Sequence, residues 1–207
     1  AEAFLRQGRK ILFTGTPCQI AGLKSYLRKE YSNLLCVDFI CHGVPSPKAW
    51  IKYLHFQEER TGSAVQRVAF RSKTSGWRQF SVCLCFANNA QYLQRFDGDP
   101  YMNAFLHDLS LRPSCYSCRF KTLIRQSDIT LADFWGIEHV CPEMDDNKGT
   151  SLVLVNSEKG KLVLEEISEE MFKQPVAIEN AIYYNSLAVR SARANPNRNR
   201  FFRDLDR

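Results

Sequence analysis

The N-terminal part of the chain alternates short apolar runs with amphipathic segments. The runs Arg9–Gly15 and Leu34–Cys41 are mostly apolar and predict two buried strands. Each is followed by apolar residues at helical spacing, over Thr16–Leu27 and from Ser46 to about Arg60. This β-α-β-α order favours a pair of parallel strands joined by a right-handed crossover.

The pattern then changes to short alternating strands. Val65–Arg71, Gln79–Ala87 and Gln91–Phe96 predict an antiparallel meander. Asp99–Leu109 predicts a helix. Arg112–Lys121 contains a proline and two cysteines, and we expect a cysteine-containing loop there.

The C-terminal third returns to mixed elements. Asp128–Phe134 and Leu152–Val155 predict strands, and Ser157–Glu170 predicts a helix. Residues 190–207 form a basic tail with six arginines, which either is loose or docks elsewhere. The fold class is therefore mixed α/β, and we expect residues 1–207 to form a single domain.

Composition excludes several classes of protein. Hydrophobic residues are 44% and charged residues 24% of the 207, as in ordinary globular proteins, so disorder and coiled coils are excluded. No apolar run is long enough for a membrane span. The net charge of +6 is too small to indicate a nucleic-acid partner, so we expect no DNA or RNA. The chain does not begin with Met, and we expect it to be the C-terminal portion of a longer protein.

Eight cysteines are many for a chain that opens without a secretory signal pattern. A reducing compartment fits this usage better than a disulfide scaffold, so we predict a cytoplasmic protein in which clustered cysteines bind a metal or do redox chemistry.

Cys115 and Cys118 form a C-x-x-C in the polar loop PSCYSC. Two thiolates at this spacing can bind one metal ion or one corner of a cluster. Zinc, an iron–sulfur cluster and a thioredoxin-like redox site all remain open. A second C-x-x-C, which a zinc ribbon requires, does not occur in the sequence.

Cys18 and Cys41 are the further candidate ligands. Thr16, Pro17 and Gln19 fit a helix N-terminus with a capping box, which places Cys18 where the helix dipole stabilises a thiolate; the alternative is a small buried cysteine. Cys41 ends the second predicted strand. If the two strands are neighbours, both thiols face one crevice, and with the C-x-x-C they make the four thiolates of an iron–sulfur cluster.

The other cysteines have structural interpretations. Cys36 lies inside the second strand. Cys83 and Cys85 share one face of a strand, which we expect to be a buried core face; the alternative is that the two cysteines act as a pair. Cys141 precedes a proline and is the reserve ligand. His42 is adjacent to Cys41 and is interpreted as a nearby polar group.

A basic and aromatic group lies between two strands of the meander, at Arg71, Lys73, Trp77 and Arg78. It is suited to an anionic planar ligand, with Trp77 stacking on it and the cations on phosphate or carboxylate. The alternative is a solvated hairpin whose Trp covers the core.

Five ordered motifs carry a resemblance that spans Ile11–Val155. They are FTGTPCQIAGL, VDFICHGVPSP, a K-x-x-GW segment, PSCYSC and SDITLADFWGI. Together they resemble the C-terminal part of the coenzyme F420 hydrogenase/dehydrogenase beta-subunit family. The resemblance implies an oxidoreductase that binds FAD and a 4Fe-4S cluster.

The family's site residues carry over position by position. The cluster ligands fall on Cys18, Cys41, Cys115 and Cys118, of which Cys115 and Cys118 lie in the cluster-binding loop and following strand at 111–136. The flavin and substrate surface falls on Thr14, Gly15, Thr16, Lys73 and Trp77. Lys73 and His42 are the candidates for a catalytic acid. Ala132 stands where many relatives have Gly, and the N-terminal portion of the family is absent.

The implied function is electron transfer between the cluster and a small redox substrate at FAD, such as the deazaflavin coenzyme F420. A ferredoxin-like module or a partner subunit would supply or accept the electrons. The alternative is a zinc-stabilised binding module whose basic tail contacts nucleic acid or a protein partner.

Overall fold

The computed structural model describes residues 1–206 and contains two sheets. The strands are β1 (Ile11–Thr14), β2 (Leu34–Phe39), β3 (Val65–Ser72), β4 (Ser81–Phe86), β5 (Gln91–Arg95), β6 (Ile129–Asp133) and β7 (Ser151–Val155). The helices are α1 (Glu2–Arg6), α2 (Pro17–Leu27), α3 (Pro47–Thr61), α4 (Pro100–Leu106), α5 (Ile137–Val140), α6 (Glu158–Glu166), α7 (Ile178–Tyr183) and α8 (Arg198–Asp204). The mixed α/β prediction is confirmed.

The backbone groups into two compact units. Unit 1 comprises Ala1–His42, Arg119–Asp146 and Thr150–Arg190. Unit 2 comprises Gly43–Cys118, Asn147–Gly149 and the chain from Ser191 on. The single-domain organisation stays a prediction.

Unit 1 is built on a sheet in the order β1-β2-β6-β7. The first three strands are parallel, and β7 is antiparallel to β6. Helix α2 connects β1 to β2, as the sequence pattern predicts. Ile20 and Leu27 of α2 pack with Leu34 and Cys36 of β2, where Ile20 and Cys36 are fully buried. Burial of this apolar face stabilises the β-α-β unit.

Buried polar contacts of Asp128 fix β6 beside β2. Its carboxylate accepts the Cys36 N–H at 2.7 Å and the Ser157 hydroxyl at 2.6 Å. The Lys159 ammonium donates to the Leu34 carbonyl at 2.6 Å. These bonds join β2, β6 and α6 at the amino end of the parallel strands.

Unit 2 is built on the antiparallel sheet β3-β4-β5, which confirms the predicted meander. Val82, Leu84 and Phe86 form its buried face and pack with residues of α3 and α4. Cys83 and Cys85 therefore point to the opposite, less buried face. The expectation that they line the core is wrong, because Val82, Leu84 and Phe86 bury more apolar surface than two thiols.

Several predicted boundaries differ from the structure. The second strand ends at Phe39, so Cys41 lies two residues beyond it. The helix predicted over Ser157–Glu170 ends at Glu166. Part of the basic tail, Arg198–Asp204, forms α8, whose Phe201 packs against the core of unit 2. Among residues 1–206, no helix has the length and apolar character that a membrane crossing requires.

The carboxylate of Asp99 is a buried hub of unit 2. It accepts the Tyr53 hydroxyl at 2.6 Å, the Tyr92 hydroxyl at 3.0 Å and the Met102 N–H at 2.8 Å, so it also caps α4. Asp99 is fully buried. Burial, followed by the bond to Asp99, raises the pKa of Tyr53 well above its usual value; burial and Asp99 also raise the pKa of Tyr92, to about 12.

We expect the free energy of unfolding to fall as pH rises above about 10. Tyr53 and Tyr92 stay protonated in the folded state at pH values where the unfolded chain loses these protons, so alkaline pH favours unfolding. Denaturant unfolding measured across this range should show a smaller pH dependence in Tyr53→Phe and Tyr92→Phe. Tyr26→Phe, at an exposed position, is the control and should behave like the wild type. If the free energy of unfolding of both core variants depends on pH as strongly as that of the wild type, the two tyrosines are not the source of the pH dependence.

Candidate functional site

Three motifs lie at one edge of the unit 1 sheet. Residues 15–18 follow β1, residues 40–42 follow β2, and residues 134–136 follow β6. Because these strands are parallel neighbours, their carboxyl ends share this edge. Open α/β sheets bind their ligands at such an edge.

The turn between β1 and α2 is closely packed. The Gly15 N–H donates to the Val37 carbonyl at 3.2 Å, and a side chain at Gly15 would come within 3.0 Å of Gln19. Gln19 Oε1 in turn accepts the Thr16 N–H at 2.9 Å, which confirms the predicted capping box. The turn therefore leaves little room for a side chain at position 15, and the capping box fixes the start of α2.

Cys18 occupies the second position of α2, as the sequence predicts, and it is exposed, which disagrees with the alternative of a small buried cysteine. The Thr16 hydroxyl lies 3.1 Å from Cys18 Sγ and also donates to Gln19 Oε1 at 3.1 Å. The positive end of the α2 dipole lies at this turn. For a phosphate the turn offers fewer donors, since Pro17 has no N–H and the Thr16 N–H is bonded to Gln19.

The segment that contains Cys41 lies at the same edge of the sheet, after the neighbouring strand β2. The Ile40 N–H donates to the Leu131 carbonyl at 3.0 Å, which extends the pairing of β2 with β6. The Lys121 ammonium donates to the Cys41 carbonyl and, at 2.9 Å, to the Leu187 carbonyl. The Cys41 thiol itself is half-buried.

A buried ion pair lies below this edge, inside unit 1. Arg125 Nη1 is 3.8 Å from Asp38 Oδ2, and both side chains are at most 2% exposed. The Thr130 hydroxyl donates to Asp38 at 2.5 Å, and Arg125 Nη2 donates to the Ala188 carbonyl at 3.2 Å. Burial raises the pKa of Asp38, while its hydrogen bonds to Thr130 and Ser127 and the charge of Arg125 oppose the rise.

The C-x-x-C belongs to unit 2. Cys115 lies in the 3₁₀ turn Pro113–Ser117, and Cys118 follows it directly. The Val44 N–H donates to Cys115 Sγ at 3.3 Å, and the Cys118 N–H donates to Ser191 Oγ at 3.0 Å. Backbone N–H bonds to sulfur are typical of thiolates that bind iron–sulfur clusters.

The β3–β4 loop of unit 2 carries the predicted cation and aromatic residue. Lys73 is exposed, and its ammonium donates to the Lys148 carbonyl at 3.1 Å. Trp77 is 2% exposed, and a side chain at Gly149 would come within 3.3 Å of its ring. The structure thus places Trp77 as the core-covering ring of the alternative interpretation, without an open face for stacking.

The remaining cysteines lie in structural environments. Cys36 is fully buried, and burial raises the pKa of its thiol. Cys141 is buried in an apolar cluster with Phe134, Ile137 and Leu152. Neither thiol is accessible to a ligand from solvent.

The structure brings two of the predicted ligands to one sheet edge and assigns the other two to unit 2. Cys18 and Cys41 follow neighbouring strands of unit 1, whereas Cys115 and Cys118 are in unit 2. Over residues 1–206, the structure contains no group of three or more His, Cys, Asp or Glu side chains arranged for a metal ion. The four-cysteine ligand set stays a prediction.

A comparison with family models identifies the chain. The model for the C terminus of the coenzyme F420 hydrogenase/dehydrogenase beta subunit matches residues 8–179. The chain belongs to this family. The resemblance drawn from the five motifs is therefore confirmed.

The fold of this family member has a counterpart among solved structures. It is similar to one chain of the F420-reducing NiFe hydrogenase complex from Methanosarcina barkeri, with 14% sequence identity and a TM-score of 0.51. The match covers 90% of this chain and 60% of that chain, and at this identity it shows the fold alone. A comparison with curated proteins finds no match.

Sequence reasoning missed two parts of the site. Lys121 and Arg125 were given no role, although both are cations in the segment that follows the C-x-x-C. The segment after β6 was a family motif without assigned site residues, and its place at the edge depends on β6 pairing with β2. The signal that was present is the pair of basic residues, Lys121 and Arg125, between the C-x-x-C and β6.

We expect Arg125→Met to lower the free energy of unfolding by about 3 kcal/mol, because it leaves the buried Asp38 carboxylate unpaired. A raised carboxyl pKa means that the folded state binds the proton more tightly than the unfolded chain, so stability from Asp38 is greatest at low pH and is lost as pH rises. The decrease in unfolding free energy caused by Arg125→Met should therefore be smaller at mildly acidic pH than at neutral pH.

Denaturant unfolding at neutral and mildly acidic pH measures both effects. Lys161→Met removes an exposed ion pair with Glu158 and is the control, with an expected change below about 0.5 kcal/mol. Equal losses in the two variants would rule out a buried ion pair.

Proposed function

We propose that this chain is the C-terminal portion of an iron–sulfur flavoprotein oxidoreductase, which passes electrons between a 4Fe-4S cluster and a small redox substrate at FAD. The observation that carries the proposal is the family match over residues 8–179, which includes all four cysteines of the GTPCQ, CHG and C-x-x-C motifs.

The proposed cluster ligands are Cys18, Cys41, Cys115 and Cys118. Their donor chemistry fits, since iron–sulfur clusters are held by thiolates. The surroundings of the sulfurs also fit, because a hydroxyl lies 3.1 Å from Cys18 Sγ and an N–H donates to Cys115 Sγ at 3.3 Å. Hydrogen bonds of this kind stabilise negative charge on sulfur and tune the reduction potential.

The proposed flavin residues are Thr14, Gly15, Thr16 and Lys73; Trp77, the fifth residue that the resemblance implies, is buried in the loop that carries Lys73. FAD, when bound, supplies the exchange between two-electron and one-electron transfer. The chain supplies binding and orientation: the β1–α2 turn offers a closely packed backbone, and the Lys73 ammonium offers a cation to an anionic group. Lys73 and His42 are the residues proposed to move a proton.

The proposed substrate is coenzyme F420 or another small redox molecule. The structurally similar chain comes from a complex that is described as F420-reducing, which supports this substrate class. That complex also supports a partner subunit or a ferredoxin-like module as the electron donor or acceptor. The eight thiols support a compartment that keeps cysteines reduced.

Anaerobically purified protein should contain about four irons and about four sulfides per chain and absorb broadly near about 400 nm. Serine at Cys18, Cys41, Cys115 or Cys118 should each lower the iron content sharply, because each removes one thiolate ligand. Iron, sulfide and zinc analyses measure the result.

Cys83→Ser is the matched control, since Cys83 is a half-buried thiol of unit 2 that is not a proposed ligand. It should retain the iron. Stoichiometric zinc in protein produced with ample iron would support the zinc-stabilised module instead. Loss of iron in Cys141→Ser but not in Cys41→Ser would overturn the choice of ligand.

Lys73→Ala should weaken flavin or substrate binding about tenfold without loss of iron, because one charged hydrogen-bond donor is removed. Fluorescence titration of FAD and of the oxidised substrate measures the change. Lys52→Ala, at an exposed position of α3, is the control and should bind like the wild type. Loss of iron in Lys73→Ala would contradict a role confined to the flavin.

A further inference from the structure

Lys121 joins the Cys41 segment to a distant part of unit 1. Its ammonium donates to the carbonyl of Cys41, which is 80 residues away in sequence, and to the carbonyl of Leu187, which is 66 residues away. Both acceptors are backbone groups, and the contacts are partly buried. A cation in this position fixes two main-chain segments at once.

Arg125 makes a second bridge between the same two segments. It pairs with Asp38, three residues before Cys41, and donates to the Ala188 carbonyl, next to Leu187. The segment after the C-x-x-C therefore connects the end of β2 to residues 187–188 through two cations. Arg125 contacts the side chain of Asp38 within β2, whereas Lys121 contacts the backbone of Cys41, which we propose as a cluster ligand.

We infer that Lys121 is a positioning residue for Cys41, and that its charge raises the reduction potential of the cluster. The second half of this inference rests on the proposed function. The ammonium orders the backbone that carries the Cys41 thiol, which limits the positions that the thiol can take. A cation that contacts the backbone of a ligand residue favours the reduced cluster, because reduction adds negative charge to the cluster.

Unit 1 offers a matched control for this inference. Lys159 also donates to two backbone carbonyls, Leu34 at 2.6 Å and Tyr31 at 3.3 Å. Leu34 begins β2, whereas Cys41 follows the end of that strand. Lys159→Met thus removes a similar pair of lysine–carbonyl hydrogen bonds at the opposite end of the strand, about 20 Å away by strand geometry.

The first experiment needs no cluster. Hydrogen exchange of iron-free protein should show faster exchange at residues 41–43 and 187–189 in Lys121→Met than in the wild type. Lys159→Met should leave these segments unchanged, and Lys121→Arg should restore most of the protection. Wild-type exchange at residues 41–43 in Lys121→Met would overturn the positioning role.

The second experiment uses the iron-loaded protein. Lys121→Met should lose iron to a chelator about tenfold faster, as is typical for residues that support a metal ligand. Its midpoint potential should shift to a more negative value, whereas Lys121→Arg and Lys159→Met should stay close to the wild type. Lys121→Gln, which keeps a donor without the charge, gives the same shift if the methionine variant does not fold.

The outcomes separate this inference from the proposed function. A loaded wild type with an unchanged potential in Lys121→Met overturns the electrostatic role and leaves the proposed function standing. A wild type that binds no cluster overturns the proposed function and the electrostatic role together. The exchange result decides the positioning role in both cases.

Discussion

The pairing of β2 with β1 on one side and β6 on the other is the constraint on which unit 1 depends. It holds the two strands of the N-terminal β-α-β unit against a strand that follows almost ninety residues later. Asp128 secures this long-range pairing by accepting the Cys36 N–H, 92 residues away. Since all three strands are parallel, the pairing sets their carboxyl ends, and the motifs that follow them, along one edge.

The interior of unit 1 contains a buried ion pair between Asp38 and Arg125. A buried ion pair such as Asp38–Arg125 costs desolvation energy that well-packed apolar residues would avoid. Here the charge has a structural use, since Arg125 and Lys121 connect the segment after the C-x-x-C to the end of β2 and to residues 187–188. Lys121 contacts the backbone of a proposed ligand, so one residue serves both the fold and the proposed cofactor chemistry.

In unit 2, a single buried carboxylate connects elements that are distant in sequence. Asp99 caps α4 and accepts two tyrosine hydroxyls, which ties α3 and β5 to the start of α4. Cys115 Sγ in the 3₁₀ turn accepts the Val44 N–H, and the N–H of Cys118, just after the turn, donates to Ser191 Oγ. In both units the proposed thiolate ligands lie on segments that are fixed by hydrogen bonds from residues distant in sequence.

The sequence by itself determined the local elements of this protein. Helical spacing of apolar residues, the Thr16–Gln19 capping box and the proline-containing C-x-x-C segment each depend on neighbours within a few residues, and the motif order identified the family. Only the tertiary structure decided which face of β4 is buried, because a period of two shows that Cys83 and Cys85 share a face but not which face points inward. It also decided the burial of Trp77 and the contact of Lys121 with Cys41, since both depend on packing between residues more than seventy positions apart. Contacts over such separations depend on how all the apolar faces of the chain pack together into one core. A local sequence pattern does not contain this information.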